Sequence, residues 1–441
     1  GPRGIAICER LVAASRTDAW HGTLEVHLID PDVDRGGAVW RADQSPVLLM
    51  NTATCQTTLY PDASCTTTLP APDDALTFDA FLAATGYAPA DIAPRTEHGR
   101  YLQHVLDTAE RAMDPTRIRL TRHRTEVLDI TGAPGRPQHL HLATGEDLQV
   151  DAVALALGHL ATVPSSRSRR LADAAARHGL VHLASANPLE VDYGALIGRE
   201  RVAVQGMGLN FYDAIGMLSA ACGGRFVDSP HTPSGLRYLP GGGEPHIVVG
   251  SRSGMIYRPK PDLRPELPAP YAPRVLTDEV IEELAHREGG IEHERDTLPL
   301  MVRELEVALA AGGFAELADG PTIMRLLFPL GRHATAVPDA HRRSRDVLRT
   351  ALEAAAAPDP AWTLIFRVLT TLRIQMNALA DRGAYTAGSY TRDIDGFLKN
   401  AFASWASGPP VLRVRQVLAL EEAGLLEFTG PGFDLGVDES A

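Results

Sequence analysis

The sequence is short of lysine and of organised cysteine. Of its 42 basic residues only Lys260 and Lys399 are lysine, and 55 acidic residues leave a formal charge of −13. That balance disfavours bulk binding to nucleic acid. The four cysteines, Cys8, Cys55, Cys65 and Cys222, form no CxxC pair and no metal-ligand spacing. A dithiol redox centre and a disulfide-stapled fold are thereby excluded, and a reducing cytoplasm fits best. No run of about 18 apolar residues occurs, and no basic-then-apolar leader opens the chain. His293, flanked by Glu292 and Glu294, lacks a second histidine at ligand spacing, so no metal is expected.

What is present is a chain of 441 residues, enough for two or three domains at about 150 residues each. An apolar, helix-like run from Ile5 to Ala14 follows Gly1-Pro2-Arg3-Gly4, and an alternating strand, Leu24 to Ile29, then ends in Asp30. Glycines at a helix N-terminus let a pyrophosphate approach the backbone, and an acid further along holds a ribose hydroxyl. Gly1, Gly4 and Asp30 suit those roles if a strand and one more glycine precede Gly1. The chain is therefore expected to have lost its true N-terminus. The block from Trp40 through Gln44, Met50, Asn51, Gln56 and Thr57 to Tyr60 is too polar for core and too apolar for a loose loop. It reads as a ligand wall whose amides, Gln44, Asn51 and Gln56, could meet the polar edge of a flavin ring.

Residues 97–106 carry apolar groups at helical spacing, and Arg117–Ile130 with His139–Leu142 reads as a small antiparallel hairpin. Asp151–Leu157, closing on Gly158, reads as a buried parallel strand with a cofactor at its carboxyl end. A second nucleotide signal is a strand, Arg201–Gln205, the turn Gly206-Met207-Gly208, and a helix through Leu218 with Asn210 in its first turn. Phe211 stands where the usual motif has a third glycine, which keeps helix and strand further apart. The partner strand, His246–Gly250, ends in Ser251 and Arg252 rather than an acid, a pairing that suits a 2′-phosphate and favours NADPH, with Arg258 in reserve.

From Leu276 onward the pattern is helical. Thr277 caps a first turn bearing Asp278 and Glu279, and Leu364, Ile365, Val368, Leu369, Leu372, Met376 and Leu379 form a core stripe. Ala354–Ala357 before Pro358 reads as a helix end and connector. Tyr385, Tyr390 and Arg392, in a polar, glycine-containing stretch, are the expected substrate contacts.

These pieces together resemble the bacterial FAD/NAD(P)-binding proteins related to flavin-dependent N-hydroxylating monooxygenases. The motifs that carry the likeness are Gly1-Pro2-Arg3-Gly4, the Trp40-to-Leu59 block, Gly99-Arg100-Tyr101-Leu102, Leu157-Gly158-His159, Val202-to-Asp213, Asp395-Gly396-Phe397 and Gly408-Pro409-Pro410. The resemblance implies an α/β protein with two dinucleotide-binding, Rossmann-like domains: an FAD domain over 1–165, an NADPH domain over 166–275, and a helical substrate region over 276–441. It implies a further segment beyond the end of this chain that returns to cover FAD. It also implies FAD contacts from Trp40, Met50, Thr57, Arg100 and Gly158, with Asn51, Gln56 and Asn210 holding the reacting flavin and nicotinamide. The implied activity is NADPH-driven hydroxylation, at nitrogen or an electron-rich carbon of a small polar metabolite, by O2 through a flavin C4a-(hydro)peroxide. The alternatives are a flavin dehydrogenase or oxidase and a non-catalytic FAD/NAD(P)-binding partner protein; a disulfide reductase is discarded for want of CxxC.

Overall fold

A computed structural model describes residues 1–62, 65–67, 69–87, 92–160, 162–260, 271–356 and 359–437. The chain divides into two compact units, Gly1–Ser166 and Arg167–Ala441. It is a mixed α/β protein with a helical C-terminal region.

The first unit opens with α1 (Pro2–Ser15), whose proline occupies the first turn, where no amide donor is needed. Ile5, Cys8 and Val12 recur on one face of α1 and are buried. After β1 (Leu24–Ile29) and the short α2 (Phe78–Ala84) comes α3 (Arg95–Arg111). Tyr101, Leu102, Val105 and Leu106 of α3 pack with Ile5, Cys8, Phe78 and Phe81 in one core. The run Arg117–Ile130 is not one arm of a hairpin, as its sequence suggests. Its first half, β2 (Ile118–His123), pairs in parallel with β1, Leu24 opposite Ile118. Its second half, β3 (Val127–Thr131), joins β4 (Gln138–Leu142) and β5 (Asp147–Val150) in an antiparallel sheet. The polar step at Arg124, Thr125 and Glu126 separates two strands that serve different sheets.

Asp151–Leu157 also departs from expectation. It is apolar but forms no strand, and Val153, Leu155 and Leu157 are exposed. A buried parallel strand needs hydrogen-bonded neighbours, and no described residue pairs with this segment.

The second unit holds α4 (Ser166–Arg177) beyond its first residue, then β6 (Arg201–Gln205), α5 (Leu209–Ala221), the hairpin β7 (Arg225–Asp228) and β8 (Leu236–Leu239), and β9 (His246–Gly250). Helices follow: α6 (Asp278–Ala285), α7 (Leu298–Ala311), α8 (Gly320–Leu327), α9 (Ala340–Ala356), α10 (Pro360–Asp381), the single turn α11 (Ala387–Ser389), α12 (Lys399–Ala406) and α13 (Val411–Glu422). Helix α9 ends at Ala356; the expected connector at Ala357 and Pro358 lies outside the described residues. The last strand, β10 (Leu426–Gly430), returns to pair in parallel with β9, which pairs in parallel with β6. Asp359 caps α10 by accepting from the amides of Ala361 and Trp362, and the predicted stripe from Ile365 to Leu379 is buried in the helical core. Two stretches are π-helical, His293–Thr297 and Tyr390–Leu398, a winding that frequently marks functional sites.

Candidate cofactor and substrate sites

In the first unit the polar end of α1 is tightly enclosed. The Gly1 nitrogen lies 3.2 Å from Asp30 Oδ2, and Asp30 Oδ1 accepts from the Asp32 amide at 2.7 Å. Gly4 faces the sheet: a Cβ there would stand 3.5 Å from Leu28 and 3.9 Å from Ala156, ordinary contacts. The loop after Asp30 folds back on α1. Gly37 has φ +88°, and a Cβ on it would come 2.6 Å from the Gly1 Cα. Gly36, also left-handed at φ +87°, packs against the Trp40 carbonyl. The structure thus brings Gly1, Gly4, Asp30 and the Trp40 loop into one neighbourhood.

The same unit contains buried polar atoms with no partner. The Gln44 amide nitrogen donates to Val39 O at 3.0 Å and Arg41 O at 2.8 Å, while its Oε1 is left over. Gln56 Nε2 and His98 Nδ1 are likewise buried and unmatched. His98 stands edge-on to Trp40 at 4.6 Å and to Phe78 at 5.4 Å, and burial pulls its pKa down to about 4, so the ring is neutral at pH 7. Unmatched buried acceptors and donors are costly unless something else meets them. FAD, rich in ring nitrogens, carbonyls and phosphate oxygens, fits such a cradle. Met50 is fixed by its amide, which donates to Ala93 O at 3.0 Å, and Thr57 donates to Ala53 O at 3.2 Å. Asn51 is half-buried. Arg100 is exposed and paired with Glu97, and Gly158, at φ +67°, is exposed beyond the unpaired segment.

In the second unit, Gly206 (φ +117°) turns the chain out of β6, its amide donating to Gly250 O at 2.8 Å, and Gly208 is the N-cap of α5. Phe211 is buried and stacks edge-on with Tyr212 at 5.2 Å. Asn210 is exposed and donates to Ala186 O at 3.3 Å. Ser251 Oγ is buried without a partner, and exposed Arg252 donates to Gly396 O at 3.2 Å. These groups sit where β6 and β9 end, the usual ligand edge of a parallel sheet.

Arg258 is placed quite differently from Arg252. It is only 4% exposed, donates to Ser404 Oγ at 3.3 Å and Leu326 O at 3.1 Å, and lies 4.4 Å above the Trp405 ring. Trp405 is stacked in turn on Trp362 at 4.4 Å, and its buried Nε1 donates to nothing. Burial lowers the Arg258 pKa to about 10, the nearby Tyr212 partly opposing the shift. Burial, then the neighbouring charge of Arg373, also lowers the pKa of Lys260.

Of the expected substrate contacts, Tyr385 is a core residue whose hydroxyl reaches Met376 Sδ at 3.3 Å. Tyr390 is half-buried under Lys399, and exposed Arg392 binds Asp393 and, at 3.4 Å, Glu292. One cluster escaped sequence reasoning: Glu294, His333 and Asp393 bring ligand-type atoms within 4.8 Å of one another. Both carboxylates are already answered by Arg332 and Arg392. Their separation in sequence hid them, as it hid the pairing of Arg258 with Trp405. His98 carried a local signal, a histidine in the first turn of a helix beside Gly99.

Comparison with known proteins agrees with this geometry. Residues 1–160 match a family model described as FAD-NAD(P)-binding. An L-aspartate N-monooxygenase (nitrosuccinate-forming) from Streptomyces cremeus is 32% identical over all of this chain and 75% of its own length. A nitrosuccinic acid synthase from Aspergillus oryzae is 31% identical over 98% of this chain and 72% of its own. A second L-aspartate N-monooxygenase, from Streptomyces davaonensis, is 30% identical over 99% of this chain and 77% of its own. Likeness of that extent, together with a cradle suited to FAD, makes the chain a flavin-dependent monooxygenase belonging to the family of N-monooxygenases that these enzymes represent.

Proposed function

We propose that the protein hydroxylates the amino nitrogen of a small acidic amino acid, with L-aspartate, the substrate in its relatives' names, as the first candidate. The reading is carried by Arg258. A buried guanidinium costs several kcal/mol unless a negative charge answers it, and no described carboxylate pairs with Arg258. A substrate carboxylate would supply that charge, and the unmatched Trp405 Nε1 would give it a second donor. Lys260 and Arg373 lie close enough to influence each other, and their charge suits a second carboxylate. Arg258 is therefore assigned to substrate, and Ser251 with exposed Arg252 to the NADPH 2′-phosphate.

Two dinucleotide sites divide the work. Gly1, Gly4 and Asp30 would hold the FAD pyrophosphate and ribose, Trp40, Gln44, Met50, Asn51, Gln56 and Thr57 would line its ring, and Gly206, Gly208 and Asn210 would carry the nicotinamide cofactor. When bound, FAD would supply the hydride-accepting and O2-activating chemistry that these residues orient. In balance, R–NH2, O2, NADPH and a proton give R–NHOH, NADP+ and water: one oxygen atom forms the N–O bond and the other leaves as water. Arg258 would hold the carboxylate end of the substrate, while Trp405 and Trp362 keep water from it.

The test is NADPH consumption and hydroxylamine formation with L-aspartate, L-asparagine and succinate, each repeated with NADH. Aspartate-dependent turnover with NADPH is expected, and Arg258→Met should raise KM for aspartate by about 100-fold or more with NADPH oxidation in the absence of substrate unchanged. No product from aspartate, or an unchanged KM in the variant, would sink the assignment.

A further inference from the structure

The loop from Asp30 to Trp40 carries the acid assigned to the FAD ribose, and an ion-pair hub fastens it from outside. Arg122 of β2 donates through Nη1 to Asp34 at 3.3 Å. The same guanidinium binds Asp107 at 2.7 Å and grips both oxygens of Glu110 at 2.7 and 2.6 Å. Arg124, two residues on and just past the end of β2, also binds Asp34, and Gln103 of α3 donates to the Asp34 backbone carbonyl. The Arg124 partnership, with Arg122 adding to it, holds the Asp34 carboxyl below the usual range. Asp34 is thus tied to β2 and α3 by three side chains, yet itself stays 41% exposed.

The consequence lies four residues before Asp34 and three after it. Asp30 contacts Gly1, and Gly37 lies against Gly1 so closely that no side chain would fit. Both contacts fall on the N-terminal end of α1, where backbone amides face a pyrophosphate. We infer that Arg122 and Arg124, acting through Asp34, are positioning residues that clamp the Asp30–Trp40 loop over the N-terminal end of α1 and so set how tightly FAD is held. The clamp touches no cofactor. It works by keeping Asp30 and Gly37 in place before FAD arrives, so that ordering the loop does not draw on binding energy. Because its pairs are partly exposed, its strength should fall as salt screens it.

The inference rests on the reading that Asp30 holds the FAD ribose, and the experiment separates the two. The full chain is stripped of flavin and titrated with FAD by fluorescence quenching, as wild type, Asp34→Asn, Arg122→Lys and Asp30→Asn, at low and high sodium chloride. Asp34→Asn should bind FAD about three- to tenfold more weakly at low salt, with the gap closing at about 1 M salt and the melting temperature of the flavin-free protein unchanged. Arg122→Lys, which keeps the charge, should retain most of the wild-type affinity. Equal FAD affinity in Asp34→Asn, or a loss matched by a fall in flavin-free melting temperature, would overturn the clamp. Unchanged affinity in Asp30→Asn would overturn the ribose assignment beneath it.

Discussion

Two glycines with the same letter in the sequence answer to different demands. At Gly99, inside α3, a Cβ would stand 2.1 Å from the Trp40 carbonyl and 2.9 Å from the Ala42 amide, so the protein itself forbids a side chain there. At Gly208 the nearest atoms to a Cβ belong to the Tyr257 ring at 3.5 Å and beyond, an ordinary contact. Gly99→Ala should therefore destabilise the flavin-free protein by about 1–3 kcal/mol through overpacking. Gly208→Ala should leave that stability within about 0.5 kcal/mol while weakening NADPH binding. Thermal denaturation with nucleotide titration checks both, and a Gly208→Ala protein that melts early would refute the distinction. Both glycines were legible as motif residues; that the fold itself needs Gly99 was not, because only the packed neighbours decide it.

Glu304 does at the level of elements what no local pattern announces. It sits on α7, fully buried, and its two oxygens accept from the Tyr271 hydroxyl (2.6 Å) and the amides of Arg274 (2.9 Å), Val275 (2.7 Å) and Leu276 (2.8 Å). It thereby fixes the segment that leads into α6. Burial alone would raise its pKa, but the four donors outweigh burial and hold it below the usual value. A depressed carboxylate stabilises the fold above its unfolded pKa of about 4.3, and that stability is lost as pH falls through the lower folded value. Glu304→Gln should cost about 2–4 kcal/mol at pH 7, since the amide nitrogen would face donors. The deficit should shrink below about pH 4. Urea unfolding of both proteins from pH 7 to pH 3 measures it, and a deficit independent of pH would contradict the account. Helices such as α10 could be read directly, because capping and apolar spacing act within a few turns. Strand partners could not: Ile118–His123 and Asp151–Leu157 both read as strand, yet one pairs with β1 and the other with nothing described.

Across the whole molecule, the chain falls into two units, with the Asp30 and Trp40 groups in Gly1–Ser166 and the Gly206 turn in Arg167–Ala441. If each unit carries its own dinucleotide, FAD should slow amide hydrogen exchange chiefly before residue 166 and NADP+ chiefly after it. The stabilisation should follow ligand concentration, about 2.7 kcal/mol at one hundred times Kd. Protection by NADP+ around Gly1 and Asp30 would contradict that division. No described helix is long and apolar enough to cross a membrane, in keeping with the absence of long apolar runs.

The sequence by itself determined the position of the Gly206–Gly208 turn, the acid after the first strand, the helices after Leu276 and the likeness to flavin N-monooxygenases. Those features rest on residues close together in the chain, where spacing and backbone preference are enough. Only the tertiary structure decided that Arg258 is buried over Trp405 and that Asp34 is clamped by Arg122 and Arg124. It alone decided too that Glu294, His333 and Asp393 converge. Desolvation and charge pairing depend on everything that surrounds a group, and those surroundings come from segments as much as 147 residues apart, as between Arg258 and Trp405.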